Sequence, residues 1–511
     1  LISRIFAQKT PMAFEDGHRR TTDLFWLLLF ICAVAAQVFF AFLALYHGIQ
    51  LDELQGGSFE EVLQNVTSRN GWLASAQDAV TNFVELRPEN LRLESQGILA
   101  ALGTAAVSSG GFLLLLAYFP VHLVVKMVAI GGPLALMLLG AMAIADAPPA
   151  ALLGVEAHLG WPFVILGIIG LIFTSFTWTY LRLGIAVLRC SAAFLRSRPA
   201  IGAYPLLFGV VHIAGLFLWA LAVLGIRASF QEQFEDLDWQ SQFGTASAML
   251  LCFLWGNSFV TGLSTFAVAY AASHWYGRGP ADGHRSGQLV PIAIQVGLRY
   301  HAGSLALGSL LLALVRTLNV MLWWAEKAQE EATAAATGAV GLPRRPARPP
   351  SLLRSVRNFA AEVLEVVATW ASKQAFVQIA ISGCPFATAA MRAGQLATRA
   401  PAGFVMVESL SMIFQRACEF LLICVAILVA STCGLEGFKG LGPVAVIAWL
   451  AAESLLHPYS VATTSILHCC LLDKESSKEP SNSKVPAEVL ELQRVMEEWN
   501  GNDGSFVQHY R

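Results

Sequence analysis

Charged side chains are scarce in this chain of 511 residues. Asp, Glu, Lys and Arg make up 13% of it, whereas about a quarter of a typical soluble domain is charged. Hydrophobic residues make up 56%, and many of them stand in long runs. Such runs match the roughly 20 apolar residues that a helix needs to cross a bilayer. The composition therefore excludes an ordinary soluble protein and predicts one that crosses the membrane several times.

Sequence motifs for catalysis are also absent. The chain has no HExxH, Walker A or GxSxG pattern, and no closely spaced Cys and His residues that would bind zinc. His212, His301, His457 and His468 stand isolated in or beside apolar runs. A lone histidine in a membrane helix is more often a packing or hydrogen-bonding residue than a ligand. We therefore expect neither an enzyme nor a bound metal or other cofactor.

Strong net charge is missing as well. The formal net charge is -2 and no basic helix or arginine-rich tail is present, so nothing indicates a nucleic-acid partner. Most of the nine cysteines lie within apolar runs, where they behave as small apolar residues. Cys469 and Cys470 end the last run, where palmitoylation and simple packing are both open. No cleavable signal peptide is expected, because the first run is too long for one.

The apolar runs predict membrane-spanning helices, because lipid offers no water to the backbone and only helices or closed barrels satisfy it. They lack the alternation of barrel strands. Nine runs lie at roughly 23–46, 97–120, 124–145, 161–180, 204–226, 245–272, 301–324, 413–432 and 443–472. A tenth, within 352–398, is interrupted by Gly383, Pro385 and Arg392. The expected fold is an all-α polytopic bundle of about ten spans, with a transporter domain over residues 23–472.

The charges between the runs predict the orientation, because Lys and Arg in short loops mark the cytoplasmic side. The N-terminal tail and the fourth and sixth loops are basic, whereas the third and fifth loops are acidic. We therefore expect the tails 1–22 and 473–511 in the cytoplasm and the first loop, 47–96, outside. Asn65 in that loop begins an Asn-Val-Thr sequon and is the candidate glycosylation site.

Two segments outside the runs have a distinct character. Residues 325–373 carry arginines where the span count requires an external loop, so the side of this segment stays open. Its low-complexity sequence predicts a flexible linker. The C-terminal tail is polar and contains one short amphipathic helix, at 487–499.

Ionisable residues inside the predicted spans are candidates for function. A charge in the middle of a membrane costs roughly 3 kcal/mol or more, so it usually faces a cavity or a partner. Arg316, Glu419 and Glu453 are such residues. In one interpretation, a glutamate faces a substrate path and stabilises a cation. In the other, Arg316 pairs with one glutamate as a structural bridge.

Deep aromatic residues suggest a site for a quaternary ammonium group, because a ring face attracts a cation that cannot donate hydrogen bonds. Trp255 and Phe259 lie one turn apart, with the polar Asn257 between them. Trp219 lies at a similar depth in the preceding span. Ordinary helix packing explains the same residues equally well.

Four stretches resemble the choline transporter-like proteins, a family with about ten spans. The stretch RYHAGSLALGSL at 299–310, continuing to Arg316, is similar to the family's RYHxGSLAxGxL pattern. The segment 375–386 is similar to its AYIxIAIxGxxF pattern. Trp255 and Phe259, followed by Trp275-Tyr276, fit its long sixth span, and 459–473 fits the end of its last span. The resemblance covers about residues 160–475.

This resemblance implies a transporter of choline, or of a related small amine such as ethanolamine, in the plasma membrane or an organelle membrane. Substrate would bind near Trp255, Asn257 and Phe259, with Trp219 as a second wall. Glu419 or Glu453 would supply negative charge, and membrane lipids would be the other partners. Two positions depart from the family: Cys418-Glu419 replaces Gly-Lys, and Thr464 stands where an acid is expected.

Three alternatives remain open from the sequence. A channel or lipid-translocating protein would have a continuous polar path and no saturable uptake. An enzyme acting on lipid headgroups would need His, Asp or Glu to converge at one membrane surface. A membrane scaffold without transport is compatible with the two charge departures. The sequence indicates neither the coupling ion nor the oligomeric state.

Overall fold

The fold is a bundle of helices. A computed structural model describes residues 21–46, 126–145, 157–176, 178–229, 239–278, 288–339, 352–399, 401–432, 437–476 and 486–507. No strand occurs in these ranges. The α-helices there are α1 (Leu24–Tyr46), α2 (Gly132–Ile144), α3 (Ala157–Phe176), α4 (Trp178–Ser197), α5 (Tyr204–Ser229), α6 (Trp239–Arg278), α7 (Leu289–Val296), α8 (Ala302–Ala339), α9 (Leu352–Ser382), α10 (Phe386–Arg399), α11 (Pro401–Thr432), α12 (Gly437–Ser476) and α13 (Ala487–Val507). Short π or 3-10 turns precede α2, α8 and α5, at Met127–Gly131, Gly297–His301 and Pro199–Ala203.

Within the described ranges, six helical segments are long and apolar enough to cross a membrane. They are Leu24–Leu43, Ala200–Val223, Gly244–Gly277, Leu289–Trp324, Gly403–Val429 and Ala452–Asp473. The helices α9 and α10 qualify only as a pair, bent by 104° between Ser382 and Phe386. Two further apolar helices, in α2 and α3, are shorter. The prediction of about ten spans is therefore not confirmed, and the run 97–120 lies outside the described residues, as does Asn65.

The basic fourth loop expected from the sequence is the helix α4. The preceding helix ends at Phe176, and Trp178 begins a separate helix rather than the end of a span. Leu183, Val187 and Phe194 are buried along one side of α4, whereas Arg182 and Arg196 are exposed on the other. Its apolar positions recur with helical spacing and give it a buried face despite the arginines.

The segment predicted as a linker, 325–373, is helical wherever the structure describes it. The first part continues α8 to Ala339, and α9 begins at Leu352. Alanine and glutamate are strong helix formers, which accounts for the extension of α8 through an alanine-rich sequence. At the other end of the chain, α12 continues to Ser476, and the helix expected at 487–499 is part of α13.

The helix α12 lies deepest in the bundle. In its membrane segment 88% of the residues are buried, against 11% to 39% in the other five segments. It packs against α6, α9 and α11, while α4 crosses both α11 and α12. The helix α1 packs against α5 and α8. Large apolar side chains remain exposed on α1, α3, α5 and the first half of α9, as expected for surfaces that face lipid.

Candidate functional site

A polar stripe runs along one face of α12. Its members recur after four, three, four and four residues, which keeps them on one side of the helix. They are Glu453, His457, Ser460, Thr464 and His468. At 1.5 Å per residue the stripe extends over about 22 Å, which is most of the roughly 30 Å thickness of the hydrocarbon core. The deepest helix therefore carries this polar stripe through the bundle.

An ion pair lies beside the middle of this stripe. Lys373 Nζ of α9 is 3.2 Å from Glu408 Oε2 of α11 and 3.0 Å from Ser460 Oγ. Thr464 Oγ1 donates to Glu408 Oε1 over 2.5 Å. The two charged side chains are only 20% and 11% exposed. We call Lys373, Glu408, Ser460 and Thr464 the Lys373–Glu408 centre; it joins three helices through charged and hydroxyl groups.

Thr464 of the centre is one of the positions at which the sequence predicts a departure from the family. The family resemblance implies an acid there, and this chain has Thr464. The hydroxyl of Thr464 contacts the carboxylate of Glu408, which belongs to the neighbouring helix α11. The carboxylate of Glu408 therefore brings negative charge next to position 464 from a different helix.

Amide side chains of a neighbouring helix contact the polar stripe beyond the centre. His468 Nε2 lies 2.9 Å from Gln374 Oε1, and His468 Nδ1 lies 3.1 Å from Gln378 Oε1. These two glutamines are one turn apart on α9, so both face the same imidazole ring. On the other side of the stripe, His457 Nε2 is 3.2 Å from Thr265 Oγ1 of α6.

Aromatic rings stand next to the centre. Phe404 lies one turn before Glu408 on α11, and its ring centroid is 5.6 Å from that of His468. Trp370 lies one turn before Lys373 on α9 and meets Phe404 edge to face at 6.0 Å. Phe404 is almost fully buried, whereas Trp370 is 37% exposed. The Glu408 carboxylate thus has one aromatic ring, Phe404, one turn before it on the same helix. A second ring, Trp370, lies one turn before its partner Lys373.

The predicted glutamates form a second charged group, which we call the Arg416 cluster. Arg416 pairs with Glu419 at 2.6 Å and approaches Glu453 of α12 at 3.9 Å. Gln415 also donates to Glu419, over 2.8 Å. Glu419 is eleven residues after Glu408, and Glu453 is eleven residues before Thr464. Because α11 and α12 run antiparallel, the cluster and the centre lie about 16 Å apart along the same helix pair.

Arg316 pairs with neither of the glutamates proposed for it. Its Nε lies 3.5 Å from Glu365 Oε1 of α9. Asn319, one turn further along α8, donates to the same carboxylate over 2.5 Å. The pair links α8 to α9, and the structure leaves Glu419 and Glu453 with Arg416.

Trp255 and Phe259 face the first span. Both rings contact Phe30 of α1, with centroids 5.3 Å and 4.4 Å away respectively. The indole N–H of Trp255 donates to the carbonyl oxygen of Ala306 over 2.9 Å. These contacts place both residues where α6 packs against α1 and α8.

Asn257 of α6 and Trp219 of α5 lie at a different contact, the one between α5 and α6. Asn257 is two residues from Trp255, which turns it about 200° around the helix, to the other side. There its side chain hydrogen-bonds His212 of α5. Trp219 contacts Phe253 with centroids 5.1 Å apart, also between α5 and α6. The structure therefore divides the four residues of the predicted cage between two separate helix contacts.

The segment before α1 is clamped to the start of α8. Thr22 N donates to the carbonyl oxygen of Tyr300 over 3.0 Å, and Ser304 Oγ donates to Asp23 Oδ2 over 2.5 Å. The same carboxylate oxygen accepts the backbone N–H of Phe386, the first residue of α10, over 3.2 Å. We call these contacts the N-terminal clamp. They join the RYHAGS stretch to the break between α9 and α10.

These features together define a multi-pass helical membrane protein with charged and polar groups enclosed among its spans. Residues 161–475 match the family model described as plasma-membrane choline transporter. The match covers more than half of the chain, which therefore belongs to the choline transporter-like family.

Two zebrafish proteins illustrate the relationship. Choline transporter-like protein 2 of Danio rerio is 25% identical over 248 residues, which is 44% of this chain and 32% of that protein. Choline transporter-like protein 5-A of the same species is 29% identical over 195 residues, which is 37% of this chain and 24% of that protein. The chain thus matches about a third or less of the length of these relatives.

Proposed function

We propose that this protein transports a small organic cation, choline before others, across the membrane. One observation carries the proposal: Glu408 lies enclosed in the bundle, next to the polar stripe on α12. A charge in such a place usually marks a substrate or ion pathway. Membership in the choline transporter-like family supports the same function and favours choline as the cation.

The polar stripe supports a route for the cation through the bundle. It leads from the Arg416 cluster past the Lys373–Glu408 centre to His468. Gln378, which contacts His468, is followed five residues later by Gly383 in the break between α9 and α10. Discontinuous helices next to polar sites are the parts that move or bind substrate in many secondary transporters. We therefore propose that the break opens and closes one end of this route.

The groups around Glu408 suit the chemistry of choline. Its trimethylammonium group carries a charge that Glu408 can balance and methyl groups that rings such as Phe404 and Trp370 can contact. Its hydroxyl group can bond with Thr464, whose own hydroxyl group contacts Glu408. Ethanolamine shares the charge and the hydroxyl but has no methyl groups, so the aromatic contact would distinguish the two. An inside-negative potential would drive entry of either cation by about 2.3 kcal/mol per 100 mV.

The residues predicted from the sequence take different parts in this proposal. Glu419 and Glu453 would attract the cation at the Arg416 cluster, before it reaches Glu408. Asn257 would act through His212, beside the route. Trp255, Phe259 and Trp219 would shape the route through the packing of α6 against α1 and α5.

The test is uptake of radiolabelled choline into liposomes that contain the purified protein, with ethanolamine and a large organic cation as competitors. We expect saturable uptake that unlabelled choline blocks. Glu408→Gln should lower kcat/KM at least tenfold. The matched control is Glu491→Gln, which removes an exposed carboxylate on α13 and should leave uptake unchanged.

The other outcomes point to the alternatives. Uptake that never saturates would favour a channel, and movement of labelled phospholipid without choline uptake would favour lipid translocation. Flat uptake at several membrane potentials, with monodisperse protein, would contradict the transport proposal and favour a scaffold. Saturable uptake that Glu408→Gln leaves intact would keep the function and remove the site.

A further inference from the structure

Lys373 places a cation of the protein's own at the carboxylate where we propose that substrate binds. Its ammonium group lies 3.2 Å from Glu408 Oε2, while Oε1 accepts the hydroxyl of Thr464. Ser460 Oγ, 3.0 Å away, is a second partner for the ammonium group. Both oxygens of the carboxylate are therefore engaged, one of them by a positive charge.

The side chain of Lys373 is suited to leave this position. Lysine ends in a compact charge on a flexible four-carbon stem, unlike the planar fork of arginine. The side chain of Lys373 is 20% exposed, so it is not fully enclosed. Ser460 on the polar face of α12 offers it a hydrogen-bond acceptor beside the carboxylate. An ammonium group that leaves Glu408 thus still has Ser460 as a partner.

A purely structural role explains the pair less well. A buried ion pair is a weak source of stability, because desolvation of two charges offsets much of their attraction. Apolar residues of similar size often stabilise a protein as much or more. Within a membrane this desolvation argument applies with greater force, and ionisable residues there usually serve function.

We propose that Lys373 and the transported cation compete for Glu408, an inference that rests on the proposed function. A cation that enters the centre takes the place of the ammonium group, because two positive charges at one carboxylate oxygen repel each other. When the ammonium group returns, it displaces the cation. Lys373 therefore weakens binding and speeds release, and it makes the centre neutral between transport events.

The test measures binding of radiolabelled choline to the purified protein in nanodiscs. Lys373→Met keeps an unbranched side chain of similar length and removes the charge. We expect it to lower the Kd for choline at least tenfold and to slow choline exchange in liposomes. Lys373→Arg keeps the charge and should bind choline no more tightly than the unmodified protein. Ser460→Ala removes the second partner of the ammonium group without removing a charge, and should lower the Kd about two- to threefold.

The possible results separate this inference from the proposed function. If Lys373→Met and Ser460→Ala bind choline with unchanged or higher Kd while Glu408→Gln abolishes binding, the competition is wrong and the site stands. If Lys373→Met does not fold, an unchanged Kd in Ser460→Ala contradicts the competition. If the folded unmodified protein binds no choline, both proposals are wrong. Tighter binding in Lys373→Met that Glu408→Gln reverses in the double variant supports the competition.

Discussion

At the scale of single residues, the contact between Glu408 and Thr464 predicts that an acid at position 464 of α12 can replace the acid at position 408 of α11. We expect Glu408→Asn alone to reduce choline uptake at least tenfold. Glu408→Asn combined with Thr464→Asp should recover at least a third of the original uptake. The reason is that position 464 faces the same centre, one turn from Ser460, which already contacts Lys373. Uptake into liposomes, together with the melting temperature of each variant, checks this prediction.

Position 463 provides the matched control for this exchange. Thr463 points about 100° around α12 from Thr464, and its hydroxyl contacts Ser191 of α4 over 3.0 Å. An aspartate at position 463 therefore cannot reach Lys373, and Glu408→Asn with Thr463→Asp should stay inactive. Equal recovery by both double variants would show that the position of the charge is unimportant. Recovery by neither in folded protein would show that an acid at position 464 cannot replace Glu408.

The sequence identified some ionisable residues of the spans and missed others. Glu419, Glu453 and Arg316 stand within long apolar runs and were therefore evident. Lys373 and Glu408 were missed, because residues 325–373 were interpreted as a linker and the run that follows 352–398 was taken to begin only at 413. The helices α9 and α11 continue well beyond those limits. The spacing of Glu453, His457, Ser460, Thr464 and His468 was a signal that could have indicated the polar face of α12.

The predicted aromatic cage shows the limit of one-dimensional spacing. Trp255 and Phe259 lie on one face of α6, as their four-residue separation requires. The sequence could not say which helix faces them. In the structure the ring of Phe30 contacts both, so α1 covers this face of α6. Substrate contact by Trp255 stays a prediction, and the indole bond to Ala306 gives this residue a structural task as well.

At the scale of elements, the N-terminal clamp predicts a strict requirement for glycine at position 303. A Cβ atom there would lie 2.2 Å from the carbonyl oxygen of Asp23 and 2.4 Å from that of Thr22. These are backbone atoms, and Asp23 is already held at a positive φ of 55°. Gly303→Ala must therefore displace the clamp, which we expect to cost about 1–3 kcal/mol, typical of overpacking. A lower melting temperature in detergent and lower uptake would confirm this expectation.

Gly394 in α10 is the control for position 303. A Cβ atom at Gly394 meets nothing within 4 Å. Alanine there should be neutral or stabilise by up to about 1 kcal/mol, because it favours helix more than glycine does. The clamp would lose its importance if Gly303→Ala and Gly394→Ala melted at the same temperature.

The helices themselves were predictable to different degrees. Long apolar runs gave α1, α5, α6 and α12 directly, because hydrophobicity and length decide a span. The break in α9 and α10 was indicated by Gly383 and Pro385, and Gly383 indeed has a positive φ of 67°. The helix α4 was mistaken for a loop, because charge counting recognises arginines but not the buried face opposite them. That face is defined by contacts with α11 and α12, which lie far away in the sequence.

At the scale of the whole molecule, two contacts bear on orientation. Thr22 joins the N-terminal segment to Tyr300. Arg196 of α4 pairs with Glu488 of α13 at 3.2 Å. Each contact joins two segments that the charge rule assigns to the cytoplasm. The two segments of each pair must lie on the same side of the membrane. This agrees with the proposed cytoplasmic location of both tails.

The docking of α13 on α4 predicts that the end of the chain protects a cysteine. Cys190 is fully buried, and its Sγ–H donates to the carbonyl oxygen of Glu488 over 3.0 Å. Burial, with the nearby Cys470 and Glu488, raises the pKa of the Cys190 thiol well above its usual range. Because the thiolate is the nucleophile, this thiol should react slowly with maleimide near neutral pH while α13 is docked. Val489 and Leu492, both fully buried, hold α13 in place.

Leu492→Asp should release α13, because it places a charge in an apolar contact. The exposed ion pair between Arg189 and Glu491, at 2.8 Å, is worth at most about 1 kcal/mol and cannot hold the helix by itself. We therefore expect the labelling rate of Cys190 to rise at least tenfold in Leu492→Asp, with the rate in a Cys190→Ser background subtracted to remove the other cysteines. Glu491→Gln, which breaks only the exposed pair, is the control and should change the rate less than threefold. If Cys190 stayed unreactive in Leu492→Asp, its protection would come from α11 and α12 rather than from the C-terminal helix.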